Sequence, residues 1–233
     1  MNKNSVLLGL SMATLGVVAS ATTANAVSFM ALPSFTDADF NNLLNNGTEE
    51  PWAVESRIGN AATNGTQELG ILDGANNLLP VVQGQRVWTN GEEVDFKVTF
   101  DGSLLTYIVG GQTLSTNAFD GQAPITDLFF RARSTDTSSL SLTNLMVDGV
   151  AIPDLVAEAP DTVEYLKVSD FGGAFTIMGT STFSWTGERP RNSQLAYQIK
   201  ATRGTDVPEP ATLSLLSLGT LGLLGTKLRR KSQ

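Results

Sequence analysis

Glu92, Glu93 and Asp95 place three carboxylates within four residues of a chain that has neither cysteine nor histidine. Such a group could ligate calcium or supply an acid and a base. Neighbours in a regular strand point to opposite faces, so Glu92 and Glu93 would not converge there. No spaced Asp-x-Asp-x-Asp loop accompanies them. Solvated loop charge is therefore the expected role, with no metal site and no cofactor. The missing cysteine and histidine also exclude Ser-His-Asp and Cys-His catalysis, typical zinc sites, disulfide staples and a Cys-linked lipid anchor. The composition permits paired-carboxylate hydrolysis, a Ser-Lys dyad or an oxygen-ligand calcium site, but no residue is singled out as catalytic.

Trp52, Trp88 and Trp185, with Tyr107, Tyr165 and Tyr197, are the rings that a sugar-binding face would use. Core packing is the competing use for large aromatics. Trp88 and Trp185 are the candidates for glycan contact because each borders a Gly-containing loop. Arg131 and Arg133 share one strand face, and Arg189 and Arg191 flank Pro190. Bidentate contacts to an acidic glycan are one use for them; pairing with the chain's own carboxylates is the expected one. Asn46-Gly47-Thr48 and Asn64-Gly65-Thr66 fit an N-glycosylation pattern.

The two ends read as processing signals. Lys3 precedes an uncharged apolar run from Val6 to Ala19, and Ala24 and Ala26 supply the small residues that a signal peptidase fits, so cleavage before Val27 is expected. Val207, Pro208, Glu209 and Pro210 lead into the uncharged stretch Ala211 to Thr226, followed by Lys227, Arg229, Arg230 and Lys231. This is stop-transfer logic: the apolar run enters the bilayer as a transmembrane helix and the basic cluster stays on the cytoplasmic side. The prolines keep the preceding segment extended, where an enzyme can grip it.

Between these ends, residues 27–206 are long enough for one domain with its own core. With residues 1–26 and the tail after Pro210 removed, ten Lys and Arg remain against 23 Asp and Glu, a net charge near −13. Such a field repels nucleic acid and anionic lipid, which excludes nucleic-acid binding and favours cationic or neutral partners.

Thr36 caps a helix of about ten residues, with Asp37 and Asp39 in its first turn, Phe35 and Phe40 as a hydrophobic staple and Gly47 at its stop. From Trp88 onward the period changes to two. Val94, Phe96, Val98 and Phe100 alternate with polar residues, Asp101-Gly102 turns, Leu105, Tyr107 and Val109 restart the pattern, and Gly110-Gly111 turns again before 112–115. Further strands are expected at 127–133, 139–147, 163–168, 174–178, 182–185 and 195–201, with turns at Asp148-Gly149 and Gly172-Gly173. Short strands with Gly-rich corners predict a mainly β, jelly-roll-like antiparallel sandwich carrying one short N-terminal helix.

The order Val207-Pro208-Glu209-Pro210, apolar stretch and basic end resembles the PEP-CTERM sorting signal of Gram-negative and cyanobacterial envelope proteins, a motif that a membrane-embedded exosortase recognises and cuts. The run from Trp88 to Gly91, residues 94–111, 127–149 and 183–200 resemble the choice-of-anchor extracellular domains, the W variant above all, over roughly 48–200. These resemblances divide the chain into a signal peptide (1–26), a β-sandwich ectodomain (27–206) and a sorting segment (207–233). They imply a secreted, transiently membrane-anchored protein of the cell envelope or extracellular matrix, with signal peptidase and exosortase as processing partners. The expected role is non-catalytic association with exopolysaccharide. The rivals are a carbohydrate-binding module that uses exposed aromatics and a glycan-cleaving enzyme that uses two carboxylates.

Overall fold

The alternation read over 94–100 is realised as a strand that buries Val94, Phe96, Val98 and Phe100 and exposes Glu93, Asp95 and Lys97. A computed structural model describes residues 27–59, 68–122, 124–192 and 194–204. The expected signal peptide, the sorting segment 207–233 with the transmembrane helix expected in it, and the Asn64 pattern lie outside the described residues. Among the described residues, no helix is long and apolar enough to cross a membrane.

The chain runs β1 (Ser28–Ala31), α1 (Asp37–Asn45), β2 (Glu49–Ile58), β3 (Leu69–Asp73), a single 3-10 turn (Gly74–Asn76), β4 (Leu79–Gly84), β5 (Glu93–Phe100), β6 (Leu105–Val109) and β7 (Gln112–Thr116). It continues as β8 (Asp127–Arg133), β9 (Ser138–Val147), β10 (Val150–Ala151), β11 (Leu155–Ala157), β12 (Val163–Ser169), β13 (Phe175–Trp185) and β14 (Leu195–Arg203). Two antiparallel seven-strand sheets result. Sheet A has the order β1-β12-β8-β14-β2-β3-β4; sheet B has β10-β9-β13-β5-β6-β7, with β11 also on β9.

Nested pairing explains this order. β2 pairs with β14, β5 with β13, β8 with β12 and β9 with β11. The chain is thus one long folded ribbon whose successive strand pairs go alternately to sheet A and sheet B, the jelly-roll arrangement. The inner faces meet in a shared core to which Val54, Phe130, Leu166 and Ile199 contribute from sheet A and Phe96, Val98, Tyr107 and Phe183 from sheet B. Across the layers, Tyr197 packs on Phe96 at 5.2 Å between ring centroids. Inside the core, the Tyr107 hydroxyl donates to the Tyr197 hydroxyl (2.8 Å) and lies 2.7 Å from Ser56 Oγ, so all three hydroxyls are satisfied away from water. Burial pushes the Tyr107 hydroxyl well above its ordinary pKa, and that of Tyr197 up as well.

Two readings are corrected. The segments 174–178 and 182–185 are one strand, β13, which passes through Gly179. The register shifts between Met178 and Thr180, where Asn144 and Leu145 of β9 oppose Gly179, and Asn144 takes φ 53°. A Cβ on Gly179 would lie 2.7 Å from Leu145 Cδ2 and 2.8 Å from Phe96 Cζ, so glycine there permits the bulge rather than ending the strand. The second correction is that strands β1 to β4 precede Trp88, where none was read.

Candidate functional site

The outer faces of the two sheets are built differently. On sheet A, Thr36 and Asp39 form a reciprocal capping box that starts α1. The helix lays Phe40 on Phe129, with Tyr165 and Phe35 beside them. Its first turn presents Asp37 to the sheet, where Arg131 donates to both carboxylate oxygens at 2.6 Å and the Tyr165 hydroxyl donates at 2.7 Å. Partial burial pushes the Asp37 carboxyl up, but the Arg131 guanidinium and the Tyr165 hydroxyl pull it down to about 2. Lys200 pairs with Glu50 at 2.9 Å and sits 4.6 Å from the Phe40 ring centre. Burial outweighs that pairing and raises the Glu50 carboxyl. Gln198 donates to Glu55, which Arg57 also approaches at 3.0 Å, and Lys167 pairs with Asp127 at 2.9 Å. The polar groups of this face are thus spent on one another, and the helix covers part of it.

The outer face of sheet B carries no helix among the described residues. Strand register sets its side chains in rows. Thr176, Thr99, Thr106 and Ser115 stand opposite one another across β13, β5, β6 and β7. The next row is Met146, Met178, Lys97, Ile108 and Thr113. Thr143, Thr180 and Asp95 follow, then Ser141, Thr182 and Glu93. A groove of about 700 Å³ runs over this face, lined by Met146, Met178, Ile108, Asp95, Lys97 and Glu93 among others, with Arg86 and Glu92 at its rim. Arg86 is engaged: it pairs with Glu92 at 3.0 Å and lies 5.0 Å from the Trp88 ring centre. Asp95 accepts from the Thr180 hydroxyl at 2.8 Å. Glu93 and Lys97 hold no ion pair or side-chain hydrogen bond with another described residue.

Strand geometry sets Glu93 and Asp95 about 6.6 Å apart along β5, pointing the same way. Two carboxylates side by side meet a glycan from one side; a hydrolase needs them flanking the scissile bond. Among the described residues, no group of three or more Asp and Glu is placed to hold a metal ion.

The sequence-predicted sites are distributed as follows. Trp88 is 3% exposed, packs at a tilt on Phe183 at 4.3 Å between centroids and donates its indole N–H to Arg57 O at 3.0 Å. It belongs to the core and is out of reach of a glycan, which corrects its reading as a contact. Trp52, Tyr107, Tyr165 and Tyr197 are buried as well. Trp185 is half-buried against the core, its backbone N–H and C=O both bonded by the Asn90 amide. Arg131, Arg133 and Arg189 pair internally with Asp37, Asp161 and Glu68, as expected. Glu92 and Asp95 do stand in one groove, although Glu92 is taken by Arg86. Sequence reasoning missed Met146, Met178, Ile108 and the unpaired Lys97. Their signal lay in the outward positions of strands already read: once the inward set is known, the alternate residues line the other face.

Ala24 and Ala26, the Val207–Pro210 motif and the basic residues Lys227, Arg229, Arg230 and Lys231 lie outside the described residues. Residues 206–231 match the PEP-CTERM protein-sorting motif. No curated protein matches the chain. The matched motif marks an exported, envelope-associated protein of the kind that an exosortase processes.

Proposed function

We propose that this chain is an exosortase-processed surface protein whose jelly-roll ectodomain, of the choice-of-anchor type, acts beside exopolysaccharide as a non-catalytic matrix component. The observation that carries the reading is the sorting motif at 206–231. The Ala24-Asn25-Ala26 site and the strongly acidic ectodomain are in keeping with it: the first with export, the second with a partner that is neutral or cationic. The side-by-side carboxylates and the hydroxyl rows of sheet B are in keeping with a binding face.

In this reading, the host's signal peptidase cuts before Val27 and the exosortase cuts near Pro210. The apolar stretch after Pro210 holds the chain in the membrane until the second cut. Two measurements test the proposal in a host that makes both exopolysaccharide and exosortase. Intact-mass analysis of the mature protein is expected to end near Pro210, and deletion of the exosortase is expected to leave the Lys-Arg tail in place. The mature protein is expected to sediment with exopolysaccharide. An intact tail on the mature protein of the wild-type host overturns the processing; a freely soluble protein overturns the association.

A further inference from the structure

We infer that the groove on the open face of sheet B is a binding site for a linear amino-sugar polymer, a glycan that carries protonated amines. The inference rests on the matrix reading above and names the chemistry of its ligand. Three observations converge on it. The first is the contrast between the faces: sheet A's outward charges are paired with one another, whereas on sheet B Glu93 and Lys97 have no partner among the described residues and Asp95 has only the Thr180 hydroxyl. The second is the groove's own pattern. Met146 and Met178 form an apolar patch on which the C–H face of a sugar ring can lie, with Ile108 beyond Lys97 in the same row, and Thr143, Ser141 and Thr182 on the strands beside it offer hydroxyl partners to a sugar. The third is charge. Arg86 is neutralised by Glu92, so Glu93 and Asp95 outweigh Lys97 in a chain that is acidic throughout. A uronic-acid polymer would meet repulsion there; a polymer of amines meets complementary charge from both the site and the molecule.

The carboxylates are spaced along the strand direction, on one side of the apolar row. A chain lying across the sheet would therefore set one ring over the methionines and its amine toward Asp95 or Glu93. No exposed aromatic ring lines the groove among the described residues, so affinity per ring is modest and several rings in a row supply the binding. That is the behaviour expected of a matrix protein, which gains by weak contacts repeated along a polymer.

The test uses the full chain in mild detergent, titrated near pH 6 with a β-1,4-linked glucosamine oligomer, its fully N-acetylated counterpart and a uronic-acid oligomer. The glucosamine oligomer is expected to bind, and to weaken as salt rises. The double variant Glu93→Gln/Asp95→Asn is expected to lose about tenfold in affinity. Lys97→Glu is expected to bind severalfold tighter, a gain that misfolding cannot imitate. The site is overturned if the glucosamine oligomer fails to bind, if the N-acetylated oligomer binds equally well, or if Lys97→Glu leaves affinity unchanged. If these tests fail while the mature protein still sediments with exopolysaccharide, the groove assignment falls and the matrix reading stands.

Discussion

Replacing Asp37 with Asn isolates the contact that fixes α1 to sheet A. The substitution keeps the shape and removes the charge. Arg131, whose side chain is 9% exposed, then loses the carboxylate that receives its fork, while the Asp37 site itself is 47% exposed. Breaking a fully buried pair costs about 3–5 kcal/mol. With one partner half in water, about 2 kcal/mol is the expected loss at neutral pH. For a domain of this size that lowers the melting temperature by about 4–8 °C.

The same contact predicts a pH signature. The Asp37 carboxyl is held at about 2 in the fold against 3.8 for the free group. A depressed carboxyl contributes stability that is fully present above the unfolded value and is lost as pH falls through the folded one. The window therefore runs from about pH 4 down to about pH 2. The full shift corresponds to about 2.4 kcal/mol, and discounting for the exposed half leaves about 1 kcal/mol. Urea denaturation of the wild type and Asp37→Asn, followed by circular dichroism at pH 7, 4 and 2, reads it directly. The gap between the two is expected to be widest at pH 7 and to close by about 1 kcal/mol at pH 2. A variant within 0.5 kcal/mol of wild type at pH 7, or a gap that does not change with pH, refutes the argument.

Gly179→Ala drives a Cβ between Leu145 and Phe96 and is expected to cost about 1–3 kcal/mol in denaturant titration. Tyr107→Phe removes the hydroxyl shared by Ser56 and Tyr197 and is expected to cost about 1–2 kcal/mol without changing the fold by circular dichroism. Because the chain has no cysteine, Leu104→Cys and Glu188→Cys each give a single labelling position at opposite ends of the sandwich. In membranes from an exosortase-deficient host, a lipid-embedded quencher is expected to dim the label at 104 more than the label at 188; equal quenching counts against a tail-tethered orientation.

Much of the fold was legible because half-buried strands announce themselves. In β5 and β6 one face meets the core and the other meets water, so Val94 to Phe100 and Leu105 to Val109 alternate visibly. The helix was legible from its cap and staple, which are local. β2 was not. In Glu49–Ile58 nearly every residue is buried, with Glu50 and Glu55 bonded to Lys200 and Gln198 of the neighbouring β14. Alternation vanishes when both faces are covered, and a proline such as Pro51 is itself a signal against a central strand. The groove was illegible for a different reason. Lys97 and Ile108 face each other across one hairpin, but Met146 and Met178 come from β9 and β13, far away in sequence, and only the nested pairing sets all four in one row. The aromatics misled because size drives burial: Trp52 and Trp88 fill the core that their hydrophobic area is best spent on.

The strand registers also give the ectodomain a direction. Ser28 lies opposite Ser169, Ser169 opposite Asp127, and Asp127 opposite Thr202, so the first and last strands start and finish at one end of the sandwich. Arg203 bonds Glu49 at that end, and Trp52 stacks on Phe175 and packs at a tilt on Phe100 just inside it. The loops around Asn90, Thr186 and Gly59 gather at the other end, tied together by Asn90 to Trp185, Thr186 to Thr137 and Trp88 to Arg57. Glu93 begins β5 at this far end. A chain held by the segment beyond β14 therefore presents its end loops and the carboxylate end of the groove away from the point of attachment. Cleavage near Pro210 would release the domain without touching either sheet, because β14 already ends at Arg203.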